Sequence, residues 1–285
     1  MNGAELFFDS YNMSFEAAYD AYLKIAGGDF SGVDENPESK LRPYLHNEYQ
    51  KWLSTPLENL DGKTPVEFLE TADSLHALTE MFYCGAVVCD EELPEIFLNK
   101  LRSYGESAVD MLLKAAQNDG CSSEEGILVP SMAVKILGSW QVERAVEPLI
   151  KLLDTGEAVC DLMYENVRDA LIHIGKPALD GIFSALNSGS LPQTAAEYLL
   201  IALSDIGKKN RCDKIYQQLK KAFLEYPEKL IAAYCLRNYG DGRAIPALRG
   251  FLEKNAMKLD KETFYEVVSA IKHLGGNIED LNYTN

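Results

Sequence analysis

Six glycines recur through the last two thirds of the chain: Gly105, Gly138, Gly175, Gly207, Gly240 and Gly275, at intervals of 33, 37, 32, 33 and 35 residues. Four positions before them stand Leu101, Val134, Leu171, Leu203, Leu236 and Ile271. One position before stand Tyr104, Leu137, Ile174, Ile206, Tyr239 and Leu274, and eight before stand Phe97, Pro130, Val167, Leu199, Ala232 and Val267. Five before, Ala133, Ala170, Ala202, Cys235 and Ala270 are small, and Lys100 breaks the column. Positions −8, −5, −4 and −1 share one face of a helix that a glycine then ends. A second apolar run follows the glycine, as in Ala145, Val146, Leu149 and Leu152, or Ala244, Ile245, Leu248, Phe251 and Leu252. One such pair of helices cannot bury its own stripe, so neighbouring pairs must cover it. The small −5 residues let helices approach closely. Second helices are predicted at 143–154, 177–187 and 211–223.

The run Gly240-Asp241-Gly242-Arg243-Ala244-Ile245-Pro246-Ala247-Leu248 resembles the turn and second-helix start of HEAT repeats, in particular the short HEAT-like class known from bilin lyases. Arg144-Ala145-Val146-Glu147-Pro148-Leu149 is similar, with a longer turn before it. Pro148 and Pro246 fall early in the second helix, where a missing amide donor costs little. The resemblance covers about residues 93–281. It implies an all-α fold, a right-handed α-solenoid (an α–α superhelix) of HEAT-like repeats, with about six repeats in 93–285.

The N-terminal part differs in charge. Of the net −17, residues 1–95 carry −14, from 19 acidic and 5 basic side chains. Residues 1–92 are read as an acidic, aromatic helical cap on the repeats. Phe8, Tyr11, Phe15, Tyr22 and Ala26, with Tyr19 beside them, form one face of a helix, or of two helical segments re-capped near Ser14. That stripe is either core or an exposed aromatic groove for a partner. Gly27-Gly28 is expected to end it, with a loop to Ser39, and a second helix is expected over about Pro43–Leu53. Thr64, Pro65 and Glu67 spell a capping box with proline at the first helical position.

The pattern Trp52-Leu53, Pro56, Leu60, Gly62, Thr64-Pro65, Glu67 and Leu69 also resembles the C-terminal toxin-binding domain of Xre/MbcA/ParS-type antitoxins, over residues 52–85. That resemblance implies a small helical module docking onto a partner protein. A helix-start motif in an unrelated protein is the other reading of the same residues.

Chemical signatures are sparse. The chain holds no GxSxG, GxGxxG, P-loop or HExxH sequence. Among enzymes of HEAT-like fold, deoxyhypusine hydroxylase uses His-Glu dipeptides, which do not occur here. His173 and His273 share a −2 column with Ser103, Ile136, Asp205 and Asn238, which reads as a solvent-facing helix end. A zinc site can be drawn from His76, Cys84, Cys89 and Cys121, but tight ligand pairs are missing, and buried reduced thiols are the simpler reading. No metal and no cofactor are expected. The acidic balance disfavours nucleic acid, since phosphate binding needs clustered Lys and Arg. The one basic cluster, Lys208, Lys209, Arg211, Lys214, Lys220 and Lys221, is local. No apolar stretch is long enough to span a bilayer, and the first residues lack the pattern of an export signal. The expected location is cytoplasmic.

These features point to non-enzymatic protein–protein interaction, a scaffold or binding module using the concave face lined by second helices. The partner is an unidentified protein. Glu143, Glu147, Lys151, Asp180, Lys214, Gln217 and Lys221 are the candidate partner-binding residues. A face of mixed sign suits a specific protein better than a polyanion. A lyase-like enzyme or enzyme accessory of the bilin-lyase class, and an antitoxin-like inhibitor acting through 52–85, are the alternatives.

Overall fold

The apolar periodicity is realised as helix throughout. The structure, a computed structural model, describes residues 3–25, 38–89, 92–117, 126–154, 160–255 and 258–283. Among them are fifteen α-helices, several short 3-10 turns and no strand. No helix among the described residues is long and apolar enough to cross a membrane. The chain forms two compact units. Of the described residues, the first holds those up to Ala115 and 126–132, and the second holds Ala116, Gln117 and Ala133 onward.

The first unit contains α1 (Gly3–Ile25), α2 (Glu38–Ser54), α3 (Pro65–Glu70), α4 (Leu75–Val88), α5 (Glu95–Arg102) and nearly all of α6 (Glu106–Ala116). Helix α1 is continuous, with no break at Ser14. It packs on α2 and α4. Its buried positions are Phe7, Phe8, Ser10 and Ala18. Phe15 and Tyr19, both expected on the apolar stripe, are exposed, while Phe7, outside that stripe, is fully buried. The cause is tertiary, because the aromatic cluster sits where α2 and α3 meet α1. The Phe7 ring lies 5.5 Å from Trp52 and 5.6 Å from Phe68, and Trp52 lies 5.4 Å from Tyr11 and 5.6 Å from Tyr49. Helix α2 begins before the expected start, so Pro43 lies inside it. The glycine turn and most of the loop read at 27–39 lie outside the described residues, and Glu38 and Ser39 are already helical.

The capping box forms as read. The Thr64 amide donates to Glu67 Oε2 at 2.9 Å, and the Glu67 amide donates to Thr64 Oγ1 at 3.2 Å. Lys100, the exception in the −5 column, serves the end of α3, its ammonium donating to the Leu69 carbonyl at 2.6 Å.

The second unit takes the end of α7 (Leu128–Ser139), then α8 (Val146–Leu152), α9 (Asp161–Ile174), α10 (Leu179–Ser188), α11 (Gln193–Lys209), α12 (Asp213–Glu225), α13 (Leu230–Tyr239), α14 (Ile245–Asn255) and α15 (Lys261–His273). Helix α9 packs on α11, α11 on α13, and α13 on α15. Helices α8, α10, α12 and α14 each pack on the helix that follows them. All six −4 residues, Leu101, Val134, Leu171, Leu203, Leu236 and Ile271, are fully buried. The −8 and −5 columns are buried too, apart from Lys100. In the −2 column, Ile136 is buried and Asn238 donates to Asp205 Oδ1 at 3.0 Å. That column therefore joins neighbouring helices as well as facing solvent.

Four of the six glycines, Gly105, Gly175, Gly240 and Gly275, take positive φ at or just beyond a helix end, where an L side chain would be strained. Gly138 and Gly207 do not end helices. Each lies inside one and permits a close approach. A Cβ on Gly138 would meet the Ala170 Cα at 2.5 Å, and one on Gly207 would meet the Tyr239 ring at 2.9 Å. In urea melts, Gly138→Ala is therefore expected to destabilise the protein by about 1–3 kcal/mol, because the obstacle is backbone and a whole helix must shift. Gly250, inside α14, has open space around its Cα. Gly250→Ala is expected to be neutral or to stabilise by up to about 1 kcal/mol. Equal effects at the two positions would show that packing contact is not what keeps Gly138.

The turn before α14 shows why the Asp-Gly-Arg sequence is used. The Asp241 carboxylate accepts the Arg243 amide at 3.0 Å and pairs with the Arg243 guanidinium at 2.8 Å. That guanidinium holds the Asp241 carboxyl below its usual pKa. It also reaches Asp213 on α12 at 2.7 Å and lies 4.1 Å above the Tyr216 ring. One arginine thus ties the turn to α12, the second helix of the preceding pair.

Candidate interaction surface

Helices α8 and α10 are in contact, and Gly181 permits a close approach: a Cβ there would lie 2.7 Å from Val146 Cγ1. Helices α10 and α12 are linked through side chains. Asp180 and Lys214 pair at 3.6 Å, and the Lys214 ammonium sits 4.0 Å above the Phe183 ring. Toward the other end, the Asn187 amide donates to Gln218 Oε1 at 3.3 Å, and Lys221 donates to Asn187 Oδ1 at 3.4 Å. Lys221 also stands 4.0 Å from Glu225.

All seven candidate residues are exposed. Glu143 lies in a 3-10 turn before α8, with Glu147 and Lys151 on α8 itself. Asp180 is on α10, and Lys214, Gln217 and Lys221 are on α12. The structure brings Asp180 and Lys214 together directly, and it places Lys221 on the same pair of helices. Their mutual pairing is at the surface, where an ion pair is worth about 0–1 kcal/mol. It can therefore open toward a partner at little cost.

Between α10, α11 and α12 lies a cleft of about 380 Å³, lined in part by Asn187, Gln193, Gln218, Lys221, Glu225 and Tyr226. Its floor is apolar, including Leu186, Leu191 and Ala222, and its rim offers amides and one charge of each sign. Apart from Lys221, these residues were not foreseen. Asn187 and Gln218 come from helices about one repeat apart, so no local pattern joins them. Phe183, one helical turn after Asp180, was also missed, although its spacing on α10 places it under Lys214.

The other candidate sites are dispersed. Lys208 pairs with Asp205 at 3.2 Å, Arg211 donates to the Gly240 carbonyl at 3.2 Å, and Lys220 lies 5.9 Å from the Tyr216 ring. The basic cluster is thus engaged partly within its own helix pair and partly with the pairs on either side, through Arg211 to Gly240 and through Lys214 and Lys221 to Asp180 and Asn187. His76 is exposed beside Glu80, and Cys84 is half-buried, with its thiol pushed up by burial. Cys121 lies outside the described residues. Among the described residues, no group of three or more His, Cys, Asp or Glu is arranged to hold a metal ion. His173 approaches the Asp169 carbonyl through Nδ1 at 2.8 Å, and its own carbonyl accepts from Gln141 Nε2 at 2.9 Å. Compared with protein-family models and with curated proteins, the chain matches none of either.

Proposed function

We propose that this protein is a non-enzymatic protein–protein interaction module, a right-handed solenoid of HEAT-like repeats with residues 1–92 as its acidic N-terminal cap. The observation that carries the reading is the α8–α10–α12 surface. It offers exposed charges of both signs, an apolar-floored cleft and amide groups at the rim. An apolar centre with a polar rim is how specific protein interfaces are composed. Alternation of charge across neighbouring helices orients a docking partner. The succession α9, α11, α13, α15, each packed on the next, supports the repeat reading.

Affinity capture from native lysate, quantified by mass spectrometry, tests this function. Lys151→Glu with Lys214→Glu is expected to cut recovery of the partner by about tenfold or more, the effect of losing oriented charge contacts. Its far-ultraviolet circular dichroism is expected to match wild type. Lys272→Glu, an exposed change on α15, is expected to leave recovery unchanged. If the double variant recovered the same partner at the wild-type level, the second-helix face would not be the binding surface.

A further inference from the structure

Residues 274–283, which follow α15, form a non-helical strap that runs back along that helix. Leu274, Ile278, Leu281 and Tyr283 are half-buried, while Asn277, Glu279, Asp280 and Asn282 are exposed. At the C-terminal end of α15, a Cβ on Gly276 would meet Ile271 Cγ2 at 2.6 Å and Ile245 Cγ2 at 3.2 Å. At the other end, the Tyr283 ring lies 5.3 Å from that of Phe264, and its hydroxyl donates to the Leu259 carbonyl at 3.1 Å. Between these ends the Arg249 guanidinium on α14 donates to the Asn277 carbonyl and to Asp280 Oδ2, each at 2.5 Å. The strap thus fastens to both helices of the last pair.

The side of α15 that it covers is defined by the contacts of the opposite side. Glu266 and Ser269 meet Arg237 of α13, at 3.2 and 2.9 Å. Phe264 and Ile271, which meet the strap, are seven residues apart and lie roughly half a turn round the helix from that pair. Helix α11 is packed between α9 and α13, and α13 between α11 and α15. On α15 the strap stands where a further helix would stand. A stack of helix pairs needs such an end cover, because an open edge leaves an apolar stripe in water. Its fastenings are light. They are four half-buried side chains and a single surface ion pair, and two successive glycines, Gly275 at φ +87° and Gly276, give it a hinge.

We propose that residues 274–283 are an autoinhibitory strap, and that the α14–α15 edge beneath it pairs with the same edge of a second copy when the strap swings off. Charge selects this occupant. Helices α14 and α15 together carry four basic and three acidic side chains, whereas the strap carries Glu279 and Asp280 and no lysine or arginine. Closed copies therefore set carboxylates against carboxylates and repel. Open copies meet through a nearly neutral edge with Phe264, Ile271 and Ile245 at its centre, in a chain whose net charge of −17 otherwise opposes self-association. The edge is two helices wide and about 20 Å long, a footprint of roughly 400 Å² on each copy. That is small beside the interfaces of permanent dimers, so the pairing is weak and reversible, as a switched contact has to be. A two-fold contact uses the edge of both copies and stops at two.

Sedimentation velocity of the full-length chain over a concentration series tests this. Wild type is expected to run as a monomer through the micromolar range. Arg249→Glu removes both fastenings at the middle of the strap and sets a carboxylate against Asp280. It is expected to tighten dimerisation by at least about tenfold. Tyr283→Ala frees the far end and is expected to act in the same direction, and these two separate variants keep the test decisive if one of them fails to fold. Arg249→Glu with Asp280→Arg restores an ion pair and is expected to return most of the protein to monomer. A synthetic peptide of residues 274–283, added in excess, is expected to dissociate the Tyr283→Ala dimer by taking the edge, while a scrambled peptide of the same composition leaves it intact. Monomeric behaviour of every variant that folds, or a wild type that dimerises as strongly as they do, would overturn the proposal. So would growth beyond a dimer, or a dimer indifferent to the peptide, since the contact would then lie elsewhere.

Discussion

Trp52→Ala is expected to cost about 3–5 kcal/mol of stability in the first unit, the range for truncating a buried aromatic residue. The indole is nearly fully buried and touches three other rings, those of Phe7, Tyr11 and Tyr49. It also has a polar duty. Its Nε1–H donates to Ser10 Oγ at 3.2 Å, and Ser10 in turn donates to the Phe7 carbonyl at 2.7 Å. Alanine leaves a cavity where α1 meets α2 and removes the donor to a buried hydroxyl. Trp52→Phe refills most of the cavity but not the hydrogen bond, so it is expected to lose roughly half as much. Urea unfolding followed by circular dichroism gives both values. A wild-type midpoint for Trp52→Ala would show that this cluster does not hold the unit together.

Leu203→Ala is expected to cost about 2–5 kcal/mol in the second unit. Leu203 is fully buried on α11, the helix packed between α9 and α13. Neighbours on both sides are helices, which cannot collapse into a vacancy without moving their own contacts, so the cavity persists. Leu224 on α12 has the same side chain but is exposed. Leu224→Ala is expected to stay within about 0.5 kcal/mol of wild type. If both leucines cost the same, the −4 column does not mark the core.

That column is the clearest case of what could be read from residues alone. Six apolar side chains four positions before a recurring glycine are all buried, because helical periodicity is a local property and burial follows the apolar face. The second helices fell where expected, at 146–152, 179–188 and 213–225, three of them flanked by prolines or acidic first turns visible in the sequence. The Thr64–Glu67 capping box involves residues three apart, and it formed for the same reason.

What escaped the sequence involves a second element. Six glycines look alike in the chain, yet four turn the backbone and two admit a neighbouring helix, a distinction that depends on Ala170 and Tyr239 more than thirty residues away. On α1 the period identified a stripe, but α2 and α4 decide how much of it is covered, leaving Phe15 and Tyr19 in water and burying Phe7 instead. The seven candidate residues were legible as exposed. Their grouping was not, since Asp180 meets Lys214, and Asn187 meets Gln218, only when two helices from successive repeats lie side by side. Local backbone preference and apolar spacing are set within a few residues and so are written in the chain. Which face is covered, and which charges meet, depends on the free energy of packing helices that are distant in sequence, and only the tertiary structure decides it.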